Sequence, residues 1–179
     1  MNTQRSTRQQ GFTLVEAGVT LAVAALLVGA VAPSFQRSVE RRHVEGIAAQ
    51  LETDLQYARS LAVARSENVR VGFESSGAAS CYVVHTGAAG DCSCIATGPA
   101  VCRPGSAALR TVQLRADASA QISSNSRSIV FDAQKGTVTP TATLQIEGRS
   151  GLALNQVVNI MGRVRSCSPG GTLPGYRRC

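Results

Sequence analysis

The longest apolar stretch of the chain lies close to its N-terminus. Between residues 17 and 32 the only polar side chain is Thr20, and residues 12–15 extend the run backwards across one carboxylate, Glu16. A helix over residues 12–35 would be roughly 36 Å long, which is enough to cross the hydrocarbon core of a bilayer. The pattern therefore predicts a transmembrane helix at residues 12–35, in which an unpaired Glu16 would be costly.

A helical period continues beyond this segment. Over residues 36–66 apolar side chains recur at steps of three and four, while most charged side chains lie elsewhere around the helix. The spacing predicts an amphipathic second half of the same helix, with one face packed on a hydrophobic core. That face comprises Val44, Ile47, Ala48, Leu51, Leu55, Ala58, Leu61 and Ala62. Pro33, which lacks an amide donor, predicts a kink or local melting near residues 29–33.

After residue 67 the period changes from helical to alternating, which is typical of short half-buried strands. Gly- and Ser-rich connections separate these segments, as expected for turns. We therefore expect an α+β fold, in which the long N-terminal helix packs on an antiparallel β-sheet domain at residues 67–179. The predicted strands are residues 69–74, 81–86, 109–115, 128–132, 142–147 and 157–160.

Six cysteines in a chain directed across a membrane predict disulfides. Four of them lie in a Gly/Ala/Ser-rich segment, residues 75–108, which we interpret as a peripheral insertion. Cys167 and Cys179 form a separate pair near the C-terminus. Two pairings of the first four stay open, since the single residue between Cys92 and Cys94 gives poor geometry for a mutual bond. These are Cys81–Cys92 with Cys94–Cys102, or Cys81–Cys94 with Cys92–Cys102. The spacing lacks the paired knuckles of a zinc site, so no metal is expected.

Three interpretations of the N-terminus compete. A secretory signal peptide would place Pro33 directly after the cleaved bond and a carboxylate inside the apolar region, both of which are unfavourable. A simple membrane anchor explains the length of the apolar run but gives Glu16 no role. The third interpretation rests on the segment Gly11-Phe12-Thr13-Leu14-Val15-Glu16. It resembles the class III leader of type IV pilins and type II secretion pseudopilins.

The resemblance implies that residues 1–11 are a leader. Prepilin peptidase would cut after Gly11 and methylate the new N-terminal Phe12, while Glu16 would serve filament assembly. The implied protein crosses the inner membrane once, carries a periplasmic domain and joins major and minor pilins in a pilus or pseudopilus. Electrostatics agrees with an assembly role for Glu16, because the N-terminal amine of a neighbouring subunit can neutralise its carboxylate inside the apolar region.

Further segments resemble the FimT/FimU/GspH-like branch of that family. These are residues 54–60 running into 69–71, and residues 131–140 followed by a strand and then Gly162-Arg163. Gly162-Arg163-Val164-Arg165 also matches the G-R-x-R motif of FimT-type minor pilins, which are linked to DNA capture in natural transformation. The resemblance to FimT-type proteins thus implies binding of double-stranded DNA.

The C-terminal region is rich in arginine. The chain carries 18 basic and 11 acidic residues, for a net charge of +7, and no acidic residue follows Glu147. Arg163 and Arg165 are two apart, so both point to one side of an extended strand. If Cys167 bonds Cys179, the basic tail at residues 162–179 is tethered beside that strand. We then expect a compact cationic patch for phosphates, with a tyrosine that can stack on a base. Its members would be Arg163, Arg165, Tyr176, Arg177 and Arg178.

The alternative is a structural minor pilin or type II secretion pseudopilin that primes filament assembly without binding DNA. The sequence contains two histidines and carries neither a nucleophile elbow nor a phosphate-cradling loop. We therefore interpret the chain as a protein that is not an enzyme and needs no cofactor.

Overall fold

The structure is a computed structural model that describes residue 11 and residues 13–76, 79–94 and 98–179, without the side chains of residues 31–33. A single helix, α1, spans Leu14–Arg65. The hydroxyl of Thr13 accepts a hydrogen bond from the backbone N–H of Glu16 at 3.3 Å, which caps the first turn. Phe12, the predicted first helical residue, lies outside the described residues.

The two halves of α1 belong to different compact units, which divide between Ser38 and Val39. In the first unit the large apolar side chains are exposed around the helix, from Leu14 to Phe35. By length and composition this helix could cross a membrane. Helical structure is assigned without interruption through residues 29–33, so the local melting predicted there is absent.

Besides its part of α1, the described portion of the second unit contains eleven strands and one short 3₁₀ helix. All strand pairs are antiparallel. The strands are β1 (Val69–Ser76), β2 (Ala79–Thr86), β3 (Cys92–Ser93), β4 (Val101–Cys102), β5 (Ala108–Leu114), β6 (Ala120–Ser124), β7 (Ser128–Phe131), β8 (Val138–Thr139), β9 (Ala142–Gly148), β10 (Ala153–Val158) and β11 (Val164–Cys167). Five strands form sheet A, in the order β5-β2-β1-β7-β8, and four form sheet B, in the order β11-β10-β9-β6. The remaining two, β3 and β4, form a small ribbon. The 3₁₀ helix is Pro169–Gly171.

The hydrophobic core brings the predicted face of α1 together with one face of each large sheet. Six of the eight residues predicted for that face are buried, while Ile47 and Leu61 pack at its margin. The alternating strands supply the remainder, for example Val69, Val71 and Phe73 of β1. The predicted α+β architecture is confirmed.

Polar contacts also fasten α1 to the sheets. The carboxylate of Asp54, which is 2% exposed, accepts a hydrogen bond from the Tyr82 hydroxyl of β2 at 2.7 Å. It also pairs with the Arg110 guanidinium of β5 at 2.8 Å and accepts from the Gln50 amide at 3.1 Å. On the opposite sheet, the buried Gln156 amide of β10 donates to the Ala48 carbonyl at 2.5 Å. These contacts fix the helix relative to both sheets.

The described part of the cysteine-rich segment, residues 87–94 and 98–107, forms a cap on the outer face of sheet A. Cys81–Cys94 and Cys92–Cys102 are the two disulfides here, so the structure selects the second of the two pairings left open. Cys92 and Cys102 lie directly opposite each other in the β3–β4 ribbon. Cys81 and Val83 of β2 pack under the cap, while Tyr82 and Val84 face the main core. This is why β2 is buried on both faces.

The predicted insertion at residues 75–108 was too wide. Ser75 and Ser76 belong to β1, and β2 lies between β1 and β5 in sheet A. Because both faces of β2 are covered, its residues do not alternate between apolar and polar. The full length of this strand therefore could not be predicted from the sequence.

Candidate functional site

The predicted Arg163 and Arg165 flank the beginning of β11, the edge strand of sheet B. In the β10–β11 hairpin, Val158 pairs with Val164 and Val157 with Arg165. Val164 packs against the core, whereas Arg163 and Arg165 are exposed on either side of it. Both arginine side chains are therefore open to solvent beside the edge strand.

Gly162 is required by the geometry of this hairpin. It is buried, has a φ of +70°, and a Cβ placed on it would lie 3.0 Å from the carbonyl oxygen of Gly136. The same Cβ would lie 3.2 Å from both Cδ and Nε of Arg59. Any larger residue here would be strained and crowded. The glycine of the G-R-x-R motif is thus structural, and Arg59 of α1 lies directly beneath the hairpin.

The C-terminal segment is tied down at several points. Cys167 is bonded to Cys179, and Ser168 forms an isolated parallel bridge with Arg178. The Ser168 amide donates to the Arg177 carbonyl at 2.8 Å, and its hydroxyl accepts from the Leu173 amide at 3.1 Å. Leu173 is buried in the core. The disulfide loop is therefore part of the packed domain and not a loosely tethered tail.

Tyr176 occupies a different position from the one predicted. Its ring is half-buried and packs against the hydrophobic core. Burial, followed by the nearby Glu45 carboxylate of α1, raises the pKa of the Tyr176 phenol. The adjacent Pro174 carbonyl accepts a hydrogen bond from the Arg41 guanidinium at 3.0 Å. Because part of its ring packs against the core, only the remaining exposed part could stack on a base, as the sequence predicts.

The arginines of the basic tail follow the edge strand β11 in a row. Arg178 pairs with Ser168, which is three residues beyond Arg165 and thus about 10 Å farther along the extended chain. Arg163 lies at the other end of the row. The Arg178 guanidinium donates to the Gly170 carbonyl at 3.1 Å, and Arg177 is exposed. The row follows the outer edge of sheet B.

Sequence reasoning gave no role to three residues that complete this region. Arg59 is one of several charged residues on α1, and nothing in the sequence distinguished it from the others. Ile160 and Met161 form the tip of the β10–β11 hairpin and are 59% and 56% exposed. Ile160 was placed at the end of the predicted strand 157–160, and Met161 directly after it. The β10 strand in fact ends at Val158, which frees both residues for the turn.

Residues 48–162, more than half of the chain, match the model of the family described as "GspH: Type II transport protein GspH". The chain belongs to the GspH family. A comparison with curated proteins gives no match. The solved structure of the type IV minor pilin FimU from Pseudomonas aeruginosa, in space group P21, is similar in fold with a TM-score of 0.53. It is 22% identical and covers 73% of this chain and 95% of the FimU chain.

A second FimU crystal form, in space group P65, is 19% identical with a TM-score of 0.47 and covers 70% of this chain and 96% of that chain. The recognition of a pilin or pseudopilin of the GspH/FimU type is confirmed. Membership in this family implies association with other pilins in a filament. The apolar N-terminal helix of this GspH family member is the element expected to anchor it in a membrane.

Proposed function

We propose that this protein is a minor type IV pilin that binds extracellular double-stranded DNA without sequence preference, for uptake in natural transformation. The observation that carries the proposal is the exposed pair Arg163 and Arg165 on the edge strand of sheet B. Neither guanidinium has a carboxylate within 4 Å among the described residues, so both are available to phosphates. The motif match to FimT-type minor pilins supports the same assignment.

The row of arginines would contact phosphates, which carry no sequence information. Four contacts, from Arg163, Arg165, Arg177 and Arg178, give a salt slope near −3.6 on a log–log scale. Affinity should then fall by roughly two orders of magnitude between 50 and 200 mM salt. So few contacts correspond to a dissociation constant of roughly 1 to 100 micromolar, and efficient capture would need several copies in one filament.

The test uses the full-length chain in nonionic detergent and a labelled duplex in fluorescence anisotropy. Arg163→Gln with Arg165→Gln should weaken binding and reduce the slope by about 1.8, since each lost contact removes about 0.9. The matched control is Arg103→Gln with Arg115→Gln, which makes the same charge change at side chains that are 75% and 74% exposed. Equal binding by the motif variant and the parent would refute the proposal.

The alternative function is a structural minor pilin or type II secretion pseudopilin that primes assembly without binding DNA. The match to the type II transport family favours it. Under this alternative the arginines would pair with acidic residues of a neighbouring pilin. The Arg163→Gln/Arg165→Gln variant would then lose pili altogether, whereas the DNA proposal requires pili to persist while transformation falls.

We also propose the processing and assembly steps. Residues 1–11 form a leader that prepilin peptidase removes after Gly11, and the mature helix crosses the inner membrane once. Glu16 then favours assembly, because a neighbouring subunit's N-terminal amine neutralises its carboxylate. Glu16→Leu should leave membrane insertion intact and impair incorporation into filaments, measured by fractionation and immunoblotting of sheared pili. In this proposal the protein acts by binding and assembly, with no catalysis and no cofactor.

A further inference from the structure

We propose that Ile160 and Met161 form an apolar wedge that enters the minor groove of the bound duplex. This inference rests on the proposed DNA binding and adds a second kind of contact to it. The two side chains sit at the tip of the β10–β11 hairpin, immediately before the G-R-x-R motif, and more than half of each is exposed. Single exposed apolar residues are ordinary, but two at one hairpin tip beside arginines form a specific surface.

The tip is held rigidly. The Asn159 side-chain oxygen accepts hydrogen bonds from the amides of Met161 at 3.0 Å and Arg163 at 2.9 Å. The backbone of Asn159 also exchanges hydrogen bonds with Gly162 and Arg163. The Ile160 carbonyl accepts from the Val138 amide of β8 at 2.8 Å. These backbone groups are used within the domain, so a partner meets the two apolar side chains on a fixed turn.

The charges around the tip indicate the kind of partner. Arg163 and Arg165 follow it in the chain, and Arg59 lies beneath it against Gly162. Within the described part of the chain, none of these three arginines has a carboxylate within 4 Å. An apolar tip with a cationic surround fits a polyanion that has apolar faces within its charged surface. Double-stranded DNA has both features, with phosphates at the groove edges and stacked bases between them.

Minor-groove proteins commonly combine arginine contacts with an inserted isoleucine or methionine between base steps. The hairpin offers the same combination on a β-turn. Phosphate contacts alone would make binding entirely salt-dependent, whereas an inserted wedge adds an apolar component that salt does not screen. The two components can therefore be separated by measuring affinity as a function of salt.

The experiment compares Ile160→Ser with Met161→Ser against the parent, as full-length protein in nonionic detergent with a labelled 30-base-pair duplex. Losing both apolar contacts should weaken affinity about tenfold at every salt concentration, with the slope unchanged. Ile160→Leu with Met161→Leu should retain affinity, since Leu also serves as a wedge. Val101→Ser is the matched control, because Val101 is 63% exposed on the cysteine cap. Its affinity should equal that of the parent.

Competition supplies a second readout, which is measured first on the parent protein and then on the serine double variant. Netropsin, which fills the minor groove of A·T-rich duplexes, should displace the parent protein from such a duplex at low salt. It should displace the serine double variant less sharply, because that variant is held by phosphates alone. A parent protein that is indifferent to netropsin would overturn the wedge.

The outcomes separate the wedge from the proposed function. If Arg163→Gln/Arg165→Gln weakens binding but the serine double variant binds as the parent does, the wedge is wrong and DNA binding stands. If the serine variant binds DNA normally but is missing from pili, the tip contacts a neighbouring pilin and the wedge is also wrong. A parent protein with no affinity for DNA at low salt refutes both.

Discussion

The buried carboxylate of Asp54 should be the polar group on which the stability of the globular domain depends most. Asp54→Ala removes the acceptor for Tyr82, Arg110 and Gln50 at once. The Arg110 side chain is 46% exposed and can be rehydrated, so its part of the loss is close to that of a surface pair, about 0–1 kcal/mol. The Tyr82 hydroxyl lies in a side chain only 1% exposed, and leaving it unsatisfied costs about 1–3 kcal/mol. We expect a total loss of about 3 kcal/mol.

Urea unfolding of residues 39–179, followed by circular dichroism, measures this loss, since that unit contains the whole buried core of the described structure. Tyr82→Phe deletes one donor and leaves Asp54 with two, so it should lose only about 1 kcal/mol. Gln56→Ala, at an exposed position of the same helix, is the control and should change stability by less than about 0.5 kcal/mol. A loss below 1 kcal/mol for Asp54→Ala would refute the reasoning.

The same network predicts a pH dependence. Burial, and next the hydrogen bond to Asp54, raise the pKa of the Tyr82 phenol in the folded state. Its contribution is fully present below the unfolded pKa of about 10 and is lost as pH rises above that value, because only the unfolded chain then ionises. Stability should fall by about 1.4 kcal/mol per pH unit above pH 10 from this group. Tyr82→Phe should show a smaller decline over that range, and an identical decline would contradict the assignment.

Three further predictions concern processing, bridging and the hairpin. Mass spectrometry of the mature protein should find an N-methylated Phe12 terminus, and replacing Gly11 should block processing; an intact N-terminus would exclude a pilin leader. Non-reducing peptide mapping should link Cys167 to Cys179. Closing a loop of this size stabilises the fold by about 3 kcal/mol, so the double Cys→Ser variant should unfold at a lower urea concentration. An unchanged urea midpoint would contradict that contribution. Gly162→Ala should destabilise the domain by about 1–3 kcal/mol through strain and crowding, and a neutral effect in the same assay would contradict the geometry.

Hydrophobic periodicity determined most of the fold. The face of α1 that packs on the core could be predicted from the spacing of Val44, Leu51 and Leu55. An α-helix has 3.6 residues per turn, so apolar residues three or four apart lie on the same face. Strands with one covered face, such as β1 and β9, were found by their alternation. Two strands lack that signal. No predicted strand covers β6, which is rich in Ser and Gln. Only the last two residues of β10 were predicted, because polar Asn155 and Gln156 lie in its centre.

The candidate site was predicted less completely than the fold. Strand alternation, which is a local property, predicts one side of the chain for Arg163 and Arg165, and both residues are exposed. The position of Arg178 relative to these two arginines is set by its bridge to Ser168, across the disulfide loop. A contact between residues ten apart in an irregular loop cannot be predicted from local spacing. For the same reason the burial of Tyr176 and Leu173 could not be read from their neighbours in sequence.

The sequence by itself determined the apolar helix, the α+β class and the arginine pair, because each depends on local spacing and composition. Tertiary structure alone decided which cysteines of the cap bond, since Cys92 and Cys102 become opposite only when β3 pairs with β4. It also decided that Asp54 is a buried acceptor, because two of its three donors come from β2 and β5, more than 25 residues away along the chain. Periodicity shows which face of an element is buried, but it does not show which distant element that face will meet.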